Sequence, residues 1–194
     1  NSSTKLPDGE IVGMGIGCHS ISGFLTPDDI TNFTQMGGEG AFWIGRAPFS
    51  SHSHSFQNIG DGTYAHSGYL GIRAAVASGV NMTFKILYNG AVAMTGGQAV
   101  EGGQTPWVMS YQLAAEGIIK IAIVTDTPDG FPHGVKWARN SQIYHRRDIV
   151  KVQQELKLIP GVTAIIYIQS CATELRRKRK RGIIADKPET IIIN

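Results

Sequence analysis

The chain has 194 residues, of which 42% are apolar and 17% charged, proportions that suit one globular domain with a full core and exclude a disordered chain. No apolar run reaches the roughly 18 residues of a transmembrane helix. The net charge is +3, but residues 176–181 are six consecutive Lys or Arg residues, so the remainder carries +3 − 6 = −3. A nucleic-acid-binding protein is therefore poorly supported, because the basic charge lies in one run without interleaved aromatic residues.

Hydrophobic patterning predicts strands that alternate with helices. Apolar runs bounded by turn residues predict five strands, at 11–16, 56–59, 82–88, 118–125 and 162–168. Periodic patterns with start and stop signals predict helices at 63–79, 106–116, 146–158 and 172–181. A short helical turn is expected at 27–29, and 135–143 is ambiguous. The fold class is therefore α/β: a doubly wound, mainly parallel sheet with helices on both faces.

The two cysteines and the amino end indicate the setting of the chain. Cys18 and Cys171 provide no disulfide framework, so a cytoplasmic location is expected. Residues 1–10 are polar, lack a signal-peptide pattern and do not begin with Met. We therefore expect the chain to be a piece of a longer protein.

The stretch from Gly60 to Gly97 carries the strongest functional signal. A strand ends in Gly60-Asp61-Gly62, a helix follows, and the next strand ends at Asn89, with 26 residues between Gly62 and Asn89. Both polar side chains thus stand at the carboxyl ends of strands in one βαβ unit, where open α/β sheets bind ligands. Their oxygens suit Mg²⁺, while the glycines and the helix amino end suit a phosphate. The pair predicts a magnesium diphosphate site, although each segment alone is more typical of a plain turn.

Two further candidates lie near the same edge of the predicted sheet. The first strand runs into Cys18 and His19, which either line the same cleft or are a small buried thiol and a loop histidine. His66 lies in the first turn of helix 63–79, close to the predicted diphosphate, or is a helix-surface residue. The residues alone leave both alternatives open.

Two other segments are less specific. The glycine-rich residues 37–40 precede the apolar run 41–44 and indicate either a loop that feeds a helix and suits an anion, or a loop that needs conformational freedom. His52 and His54 lack a third ligand, so a solvated loop is favoured over a metal site.

Four long runs carry a specific resemblance. They are QMGGEGAFWIG at 35–45, FQNIGDGTYAHSG at 56–68, ILYNGAVAMTGGQ at 86–98 and CATELRRKRKRG at 171–182. Gly-Asp-Gly with an Asn at this distance resembles the magnesium-diphosphate motif of thiamine diphosphate enzymes. The longer runs resemble indolepyruvate ferredoxin oxidoreductase, of the 2-oxoacid:ferredoxin oxidoreductases, and the similarity covers nearly the whole chain.

The resemblance implies a cofactor and its contacts. Mg²⁺ would bind Asp61, Asn89 and the carbonyl of Ala91. The activating glutamate is expected on a separate pyrimidine-binding domain, so Glu39 is not that residue and no catalytic residue is assigned. In many relatives an Asp is expected where this chain has Gly90, which frees the backbone of the metal loop. Thiamine diphosphate would contact Gly15, Ile16, Gly17, Cys18, His19, Gly38, Glu39, Gly60, Gly62, Thr63, His66, Met94, Thr95 and Gly96.

The resemblance also implies an activity and partners. The complete enzyme would oxidatively decarboxylate an aryl pyruvate, pass the electrons through an iron–sulfur cluster to ferredoxin, and transfer the acyl group to coenzyme A. Residues 1–170 would be the cofactor-binding domain and 171–194 a basic tail leading to the next segment. Pyrimidine-binding and iron–sulfur domains and a dimeric assembly are expected, without nucleic-acid or membrane partners. This piece alone should be nearly inactive.

Three alternatives carry less support. A thiamine diphosphate-dependent decarboxylase or acyl-transfer enzyme without ferredoxin fits the same Gly-Asp-Gly motif. A non-enzymatic nucleotide- or nucleic-acid-binding module could use the basic run 176–181. An NAD-binding Rossmann unit is weak, because residues 13–17 lack the G-x-G-x-x-G spacing.

Overall fold

A computed structural model describes residues 2–24 and 29–185, and it contains a seven-stranded sheet whose strand pairs are all parallel. The strand order is β2-β1-β3-β4-β7-β5-β6. This confirms the predicted doubly wound α/β fold. The strands are β1 Val12–Met14, β2 Ile30–Phe33, β3 Ser55–Gly60, β4 Met82–Tyr88, β5 Ile121–Thr125, β6 Ser141–His145 and β7 Val162–Ile168.

The helices occupy both faces of this sheet. A π-helical turn, Tyr64–Gly68, joins α2 to α3, so residues 61–78 form one continuous helical segment. At α4, the predicted start is confirmed, since Thr105 Oγ1 accepts a hydrogen bond from the Val108 N–H at 3.5 Å. The helices are α1 Ala41–Arg46, α2 Asp61–Thr63, α3 Tyr69–Ser78, α4 Pro106–Ala115, α5 Ile149–Leu156 and α6 Ala172–Lys180.

Several predicted boundaries need correction. Strands β2 and β6 were not predicted, because both lie at the edges of the sheet and neither has a continuous buried run. The predicted strands 11–16 and 118–125 are shorter, as β1 and β5. The predicted helix 63–79 begins earlier, at Asp61 itself. Most of the turn predicted at 27–29 lies outside the described residues.

Two apolar layers hold the helices against the sheet. On one face, α1, α3 and α4 pack on Ile59, Phe84 and Ile86, while on the other face α5 packs on Ile165 and Tyr167. The central strands are thus buried on both faces, which explains their continuous apolar runs. No helix in the described part of the chain is long and apolar enough to cross a membrane.

The topology brings three loops to one edge of the sheet. From β1 the chain passes outward to β2, and it then returns to β3 on the other side of β1. Strands β3 and β4 are neighbours in register. The loops that leave β1, β3 and β4 therefore meet at the carboxyl edge, beside the point where the strand order reverses. This is the usual ligand position in such sheets.

Candidate functional site

Asp61 is the centre of the candidate site. It begins α2 directly after β3, and its side chain is buried. Its Oδ1 accepts a hydrogen bond from the Gly62 N–H at 2.9 Å. Its Oδ2 accepts from the N–H groups of Asn89 at 2.9 Å and Gly90 at 2.7 Å. The carboxyl therefore ties the end of β3 to the loop that follows β4.

Burial and hydrogen bonding act in opposite directions on this carboxyl. Burial raises the pKa of Asp61, because the ionised form loses its hydration. The N–H groups of Asn89, Gly90 and Gly62 lower the pKa, but burial has the larger effect. A cation beside Asp61 would favour the ionised form and remove this penalty.

The loop after β4 is folded by its own short contacts. Asn89 Oδ1 accepts a hydrogen bond from the Ala91 N–H at 2.8 Å, and Ala91 is buried. Gly90 has a φ of 70°, in the left-handed region that favours glycine. The glycine at position 90 therefore fits the loop that donates to Asp61, although the resemblance leads us to expect Asp at this position.

Gly60 and Gly62 leave open space beside the carboxyl. A Cβ added to Gly60 would meet nothing within 4 Å, and one added to Gly62 would meet only Val92 Cγ2, at 3.9 Å. Thr63 is buried in the first turn of the helical segment 61–78. The amino end of this helical segment, with its positive dipole end, lies at this edge, so the space suits an anionic group.

A cavity of about 140 Å³ opens beside Asp61. Its lining includes Tyr88 and Gly90 together with Val100, Gln104 and neighbouring residues. Burial, followed by the Asp61 charge, raises the pKa of Tyr88 and keeps its hydroxyl protonated at neutral pH. Sequence reasoning missed these lining residues. The signals that could have found them are the position of Tyr88 at a strand end and the glycine pair at 102–103.

Glu39 also lies at the carboxyl edge of the sheet, in the loop after β2. Its side chain is 0% exposed, and its Oε2 accepts a hydrogen bond from the Gly37 N–H at 2.7 Å. A Cβ on Gly15 would stand only 2.3 Å from Glu39 Oε1, so the carboxyl lies directly against the loop after β1. Burial raises the pKa of Glu39. Gly38 is half-buried beside it.

The loop after β1 has an exposed and a buried part. Ile16 and Cys18 are exposed, whereas His19 is buried and hydrogen-bonds to the backbone of Gly15. Burial lowers the pKa of His19 to about 4, so the ring is neutral at physiological pH. Cys18 is therefore accessible to solvent at this edge of the sheet, whereas the His19 ring packs inside the loop. Gly17 is half-buried between them.

The π-helical turn, Tyr64–Gly68, connects the helical segment that begins at Asp61 with the loop that contains Glu39. His66 is exposed within this turn, and its Nδ1 lies 2.9 Å from Ser67 Oγ. A Cβ on Gly37 would stand 2.8 Å from that same hydroxyl oxygen, so the Glu39 loop packs on the turn. Such π turns are frequent at functional sites. Sequence patterning cannot detect this one, because it results from a change in backbone hydrogen bonding.

The segment after the Asn89 loop is more open. Met94 is 61% exposed, and Thr95 Oγ1 donates a hydrogen bond to Gln98 Oε1 at 3.1 Å. Gly96 is exposed with a φ of 132°. These residues follow the β4 loop on the Asp61 side. No contact shown for the described residues joins them to Cys18 or Glu39.

His52 and His54 lie at the opposite, amino edge of the sheet. They line a second cavity, of about 240 Å³, with Glu10 and Lys157. His54 Nε2 lies 2.9 Å from Thr83 Oγ1, and burial lowers the pKa of His54 to about 4. Within residues 2–24 and 29–185, no three His, Cys, Asp or Glu side chains form a metal-binding group.

Known proteins share this fold and part of this sequence. The family model described as "Thiamine pyrophosphate enzyme, C-terminal TPP binding domain" matches residues 15–158. The structure resembles that of 2-oxoglutarate:ferredoxin oxidoreductase from Magnetococcus marinus, solved with 2-oxoglutarate, coenzyme A and succinyl-CoA, with 18% identity and a TM-score of 0.61. It also resembles a Mycobacterium smegmatis enzyme described as thiamin diphosphate-dependent, with 18% identity and a TM-score of 0.56.

The coverage of these comparisons is unequal. The two structural alignments include 88% and 87% of this chain, but only 56% and 30% of the other two chains. No curated protein matches the sequence. The structural alignments thus include most of this chain, and this chain spans about half or less of the length of the two solved proteins.

Proposed function

We propose a function on the premise that this chain belongs to the thiamine pyrophosphate enzyme family, as its C-terminal TPP-binding domain. Thiamine pyrophosphate is another name for thiamine diphosphate. The proposed function is to bind thiamine diphosphate with Mg²⁺ in a 2-oxoacid:ferredoxin oxidoreductase of the indolepyruvate type. When bound, the cofactor supplies the carbon nucleophile for decarboxylation of a 2-oxoacid, and the protein holds and orients it.

The arrangement of Asp61 is the observation that carries this proposal. A carboxylate oxygen has about two lone-pair sites, and Asp61 Oδ2 uses both on Asn89 and Gly90. Asp61 Oδ1 and Asn89 Oδ1 each accept one N–H, so each keeps one site for a cation. These oxygens, with the carbonyl of Ala91, are hard ligands suited to Mg²⁺, which commonly also takes phosphate oxygens.

The glycine positions support the diphosphate half of the proposal. A phosphate can approach the backbone closely only where side chains are absent, and Gly60 faces open space. In the proposed site, Gly60, Gly62 and Thr63 hold one part of the diphosphate at the amino end of the helical segment 61–78. Thr95 and Gly96 hold it from the other side, with Met94 and His66 at its margin. Loop residues 15–18, with Gly38, contact the organic part of the cofactor.

The wider activity is proposed from resemblance. The four runs in the sequence favour indolepyruvate or another aryl pyruvate as the 2-oxoacid, with ferredoxin as electron acceptor and coenzyme A as acyl acceptor. The Magnetococcus marinus structure holds a 2-oxoacid and coenzyme A, in line with these two substrate classes. In this proposal residues 1–170 form the cofactor domain and 171–194 lead onward. Pyrimidine-binding and iron–sulfur domains then complete a dimeric enzyme.

Titration calorimetry on the complete protein tests the binding site. Asp61→Ala should weaken Mg²⁺-dependent binding of thiamine diphosphate by at least ~100-fold, because it removes a metal ligand and the anchor of the β4 loop. Asp126→Ala is the matched control. Asp126 follows β5 at the same edge, is exposed, and pairs only with Arg146, at 3.6 Å, among the described residues. Wild-type affinity in Asp61→Ala would refute the site.

A second measurement distinguishes a ferredoxin oxidoreductase from a decarboxylase that does not use ferredoxin. The complete protein is supplied with indolepyruvate, coenzyme A and oxidised ferredoxin, and reduced ferredoxin and acyl-CoA are measured. Formation of both supports the oxidoreductase. Decarboxylation without ferredoxin reduction would instead support a thiamine diphosphate-dependent decarboxylase, while leaving the cofactor site intact.

A further inference from the structure

The carboxyl of Glu39 lies inside the protein, although the sequence pointed to cofactor contact. The side chain is 0% exposed, and Oε1 is a buried atom with no hydrogen-bond partner among the residues described. A ligand in the cleft cannot reach this oxygen without movement of the surrounding chain.

Three segments converge on Glu39. Its Oε2 accepts the Gly37 N–H, and its Oε1 occupies the space that a side chain at position 15 would need. Its carbonyl oxygen lies 2.3 Å from where a Cβ on Gly71 would stand, so α3 packs directly on the backbone of Glu39. Glu39 thus connects the loop after β1, the loop after β2 and the long helical segment.

The buried carboxyl of Glu39 is unfavourable for the stability of the folded chain. A buried carboxyl with an unpaired oxygen destabilises the folded state, and a well-packed apolar side chain of similar volume is often neutral or better. In the loop that it touches, the side chains of Ile16 and Cys18 are exposed and so do not anchor the loop in the core. Costly buried polar groups are typical of places where a protein fixes the geometry of a site.

We propose that Glu39 is a positioning residue, whose carboxyl holds the loop Gly15–Cys18 in the geometry that binds thiamine diphosphate. The proposal rests on the function proposed above, in which this loop contacts the cofactor. In this role Glu39 does not itself touch the cofactor. Its Oε1 occupies the space into which Gly15 would otherwise move, and the hydrogen bond from the Gly37 N–H fixes the position of the carboxyl. His19 supports the same loop through its hydrogen bond to the Gly15 backbone.

A double-mutant cycle on the complete protein tests this contact. Glu39→Ala removes the support, and Gly15→Ala places a methyl group where Oε1 lies, so each should weaken thiamine diphosphate binding by about 10-fold or more. In the double variant the methyl group fills the vacated space, so its affinity should be no weaker than that of Gly15→Ala. Glu39→Gln keeps the volume and the acceptor for Gly37, and it should stay near wild type. Gly45→Ala is the control, because a Cβ there meets nothing within 4 Å.

Cys18 provides a readout that does not depend on activity. Alkylation of its exposed thiol by N-ethylmaleimide is followed by mass spectrometry in the absence of cofactor, with Cys171 as the internal reference. Glu39→Ala should change the rate at Cys18 several-fold and leave Cys171 unchanged. Thermal melting of each variant reports general destabilisation, and Glu39→Gln should restore both affinity and the Cys18 rate.

The possible outcomes are distinct. If the losses of the two single variants multiply in the double variant, or if Gly15→Ala binds like wild type, the positioning role is overturned. An unchanged Cys18 rate in Glu39→Ala would overturn it too, even if that variant melts earlier. Failure of the wild-type protein to bind thiamine diphosphate would overturn the proposed function itself, and this inference with it.

Discussion

Lys85 offers a direct test of how the sheet tolerates a buried charge. It lies in the middle of β4, on the face opposite Phe84 and Ile86, and is 0% exposed. Its Nζ donates a hydrogen bond to the Lys5 carbonyl at 3.0 Å and lies 6.0 Å from the Phe56 ring centroid. None of the salt bridges found among the described residues includes Lys85. Burial lowers its pKa to about 7.

The cost of this lysine follows from its pKa. A pKa lowered from 10.5 to about 7 corresponds to about 5 kcal/mol of unfavourable interaction with the charged form, as an upper value. Lys85→Met keeps most of the volume and removes the charge. The Lys5 carbonyl keeps a partner, because Gln153 Nε2 also donates to it, at 3.1 Å. With roughly 1–2 kcal/mol lost for the hydrogen bond and imperfect packing, we expect a net stabilisation of about 2–3 kcal/mol at pH 7.

Urea unfolding at pH 7, 8 and 9 measures this effect. Between the folded pKa near 7 and the unfolded value of 10.5, the unfolded state binds more protons, so wild-type stability rises with pH by up to about 1.4 kcal/mol per pH unit. Lys85→Met should lack this rise, and its advantage should shrink as pH increases. Lys151→Met is the control, because the Lys151 side chain is 77% exposed. Parallel pH curves for wild type and Lys85→Met would refute the reasoning.

Two further predictions concern stability. His19 and His54 both have a pKa lowered to about 4, so between pH 6.5 and pH 4 the unfolded state binds more protons than the folded state. The free energy of unfolding should therefore fall as the pH falls, by up to about 3 kcal/mol for each histidine. Urea midpoints for His54→Gln that follow the wild-type pH dependence would contradict this. Gly40→Ala should destabilise the chain by more than about 2 kcal/mol, because its φ is 89° and a Cβ would lie 2.7 Å from Phe84 Cζ. Gly79→Ala is the control, because Gly79 has a φ of 70° but faces open space, and it should lower the free energy of unfolding by only about 1 kcal/mol. Equal melting temperatures for the Gly40 and Gly79 variants would show that the contact with Phe84 is unimportant.

The sequence predicts the βαβ unit well, because its signals are local and agree with one another. The turn at Gly60-Asp61-Gly62, the helix stop at Gly79 and the apolar run 82–88 all point to the same unit, and β3, the helical segment 61–78 and β4 confirm it. The edge strands β2 and β6 were missed for a physical reason. Each pairs with one neighbouring strand only and contains no fully buried residue, so its sequence lacks the apolar run that marks a central strand.

The candidate site could be predicted in part. Asp61 and Asn89 follow two adjacent parallel strands, so the sequence places them together, and the hydrogen bond from the Asn89 N–H to Asp61 agrees with this. The inward direction of Glu39 could not be predicted, because an acidic residue among glycines is also typical of an exposed loop. Its burial depends on Gly15 and Gly71, which are distant in sequence and leave room for it.

Three of the unpartnered buried polar atoms lie in elements that form the same candidate site. Glu39 Oε1, His19 Nε2 and Asn58 Oδ1 are buried without a partner in the part of the chain that the structure describes. They belong to the loops after β2 and β1 and to the end of β3, which meet at the carboxyl edge where Asp61 also carries a desolvation cost. Each of these groups makes the isolated fold less stable, and apolar replacements would pack more easily. Other unpartnered atoms, such as Asn140 Oδ1 and Ser141 Oγ, lie elsewhere in the fold, so it is the position of these three beside Asp61 that fits a sequence fixing a binding geometry at the expense of stability.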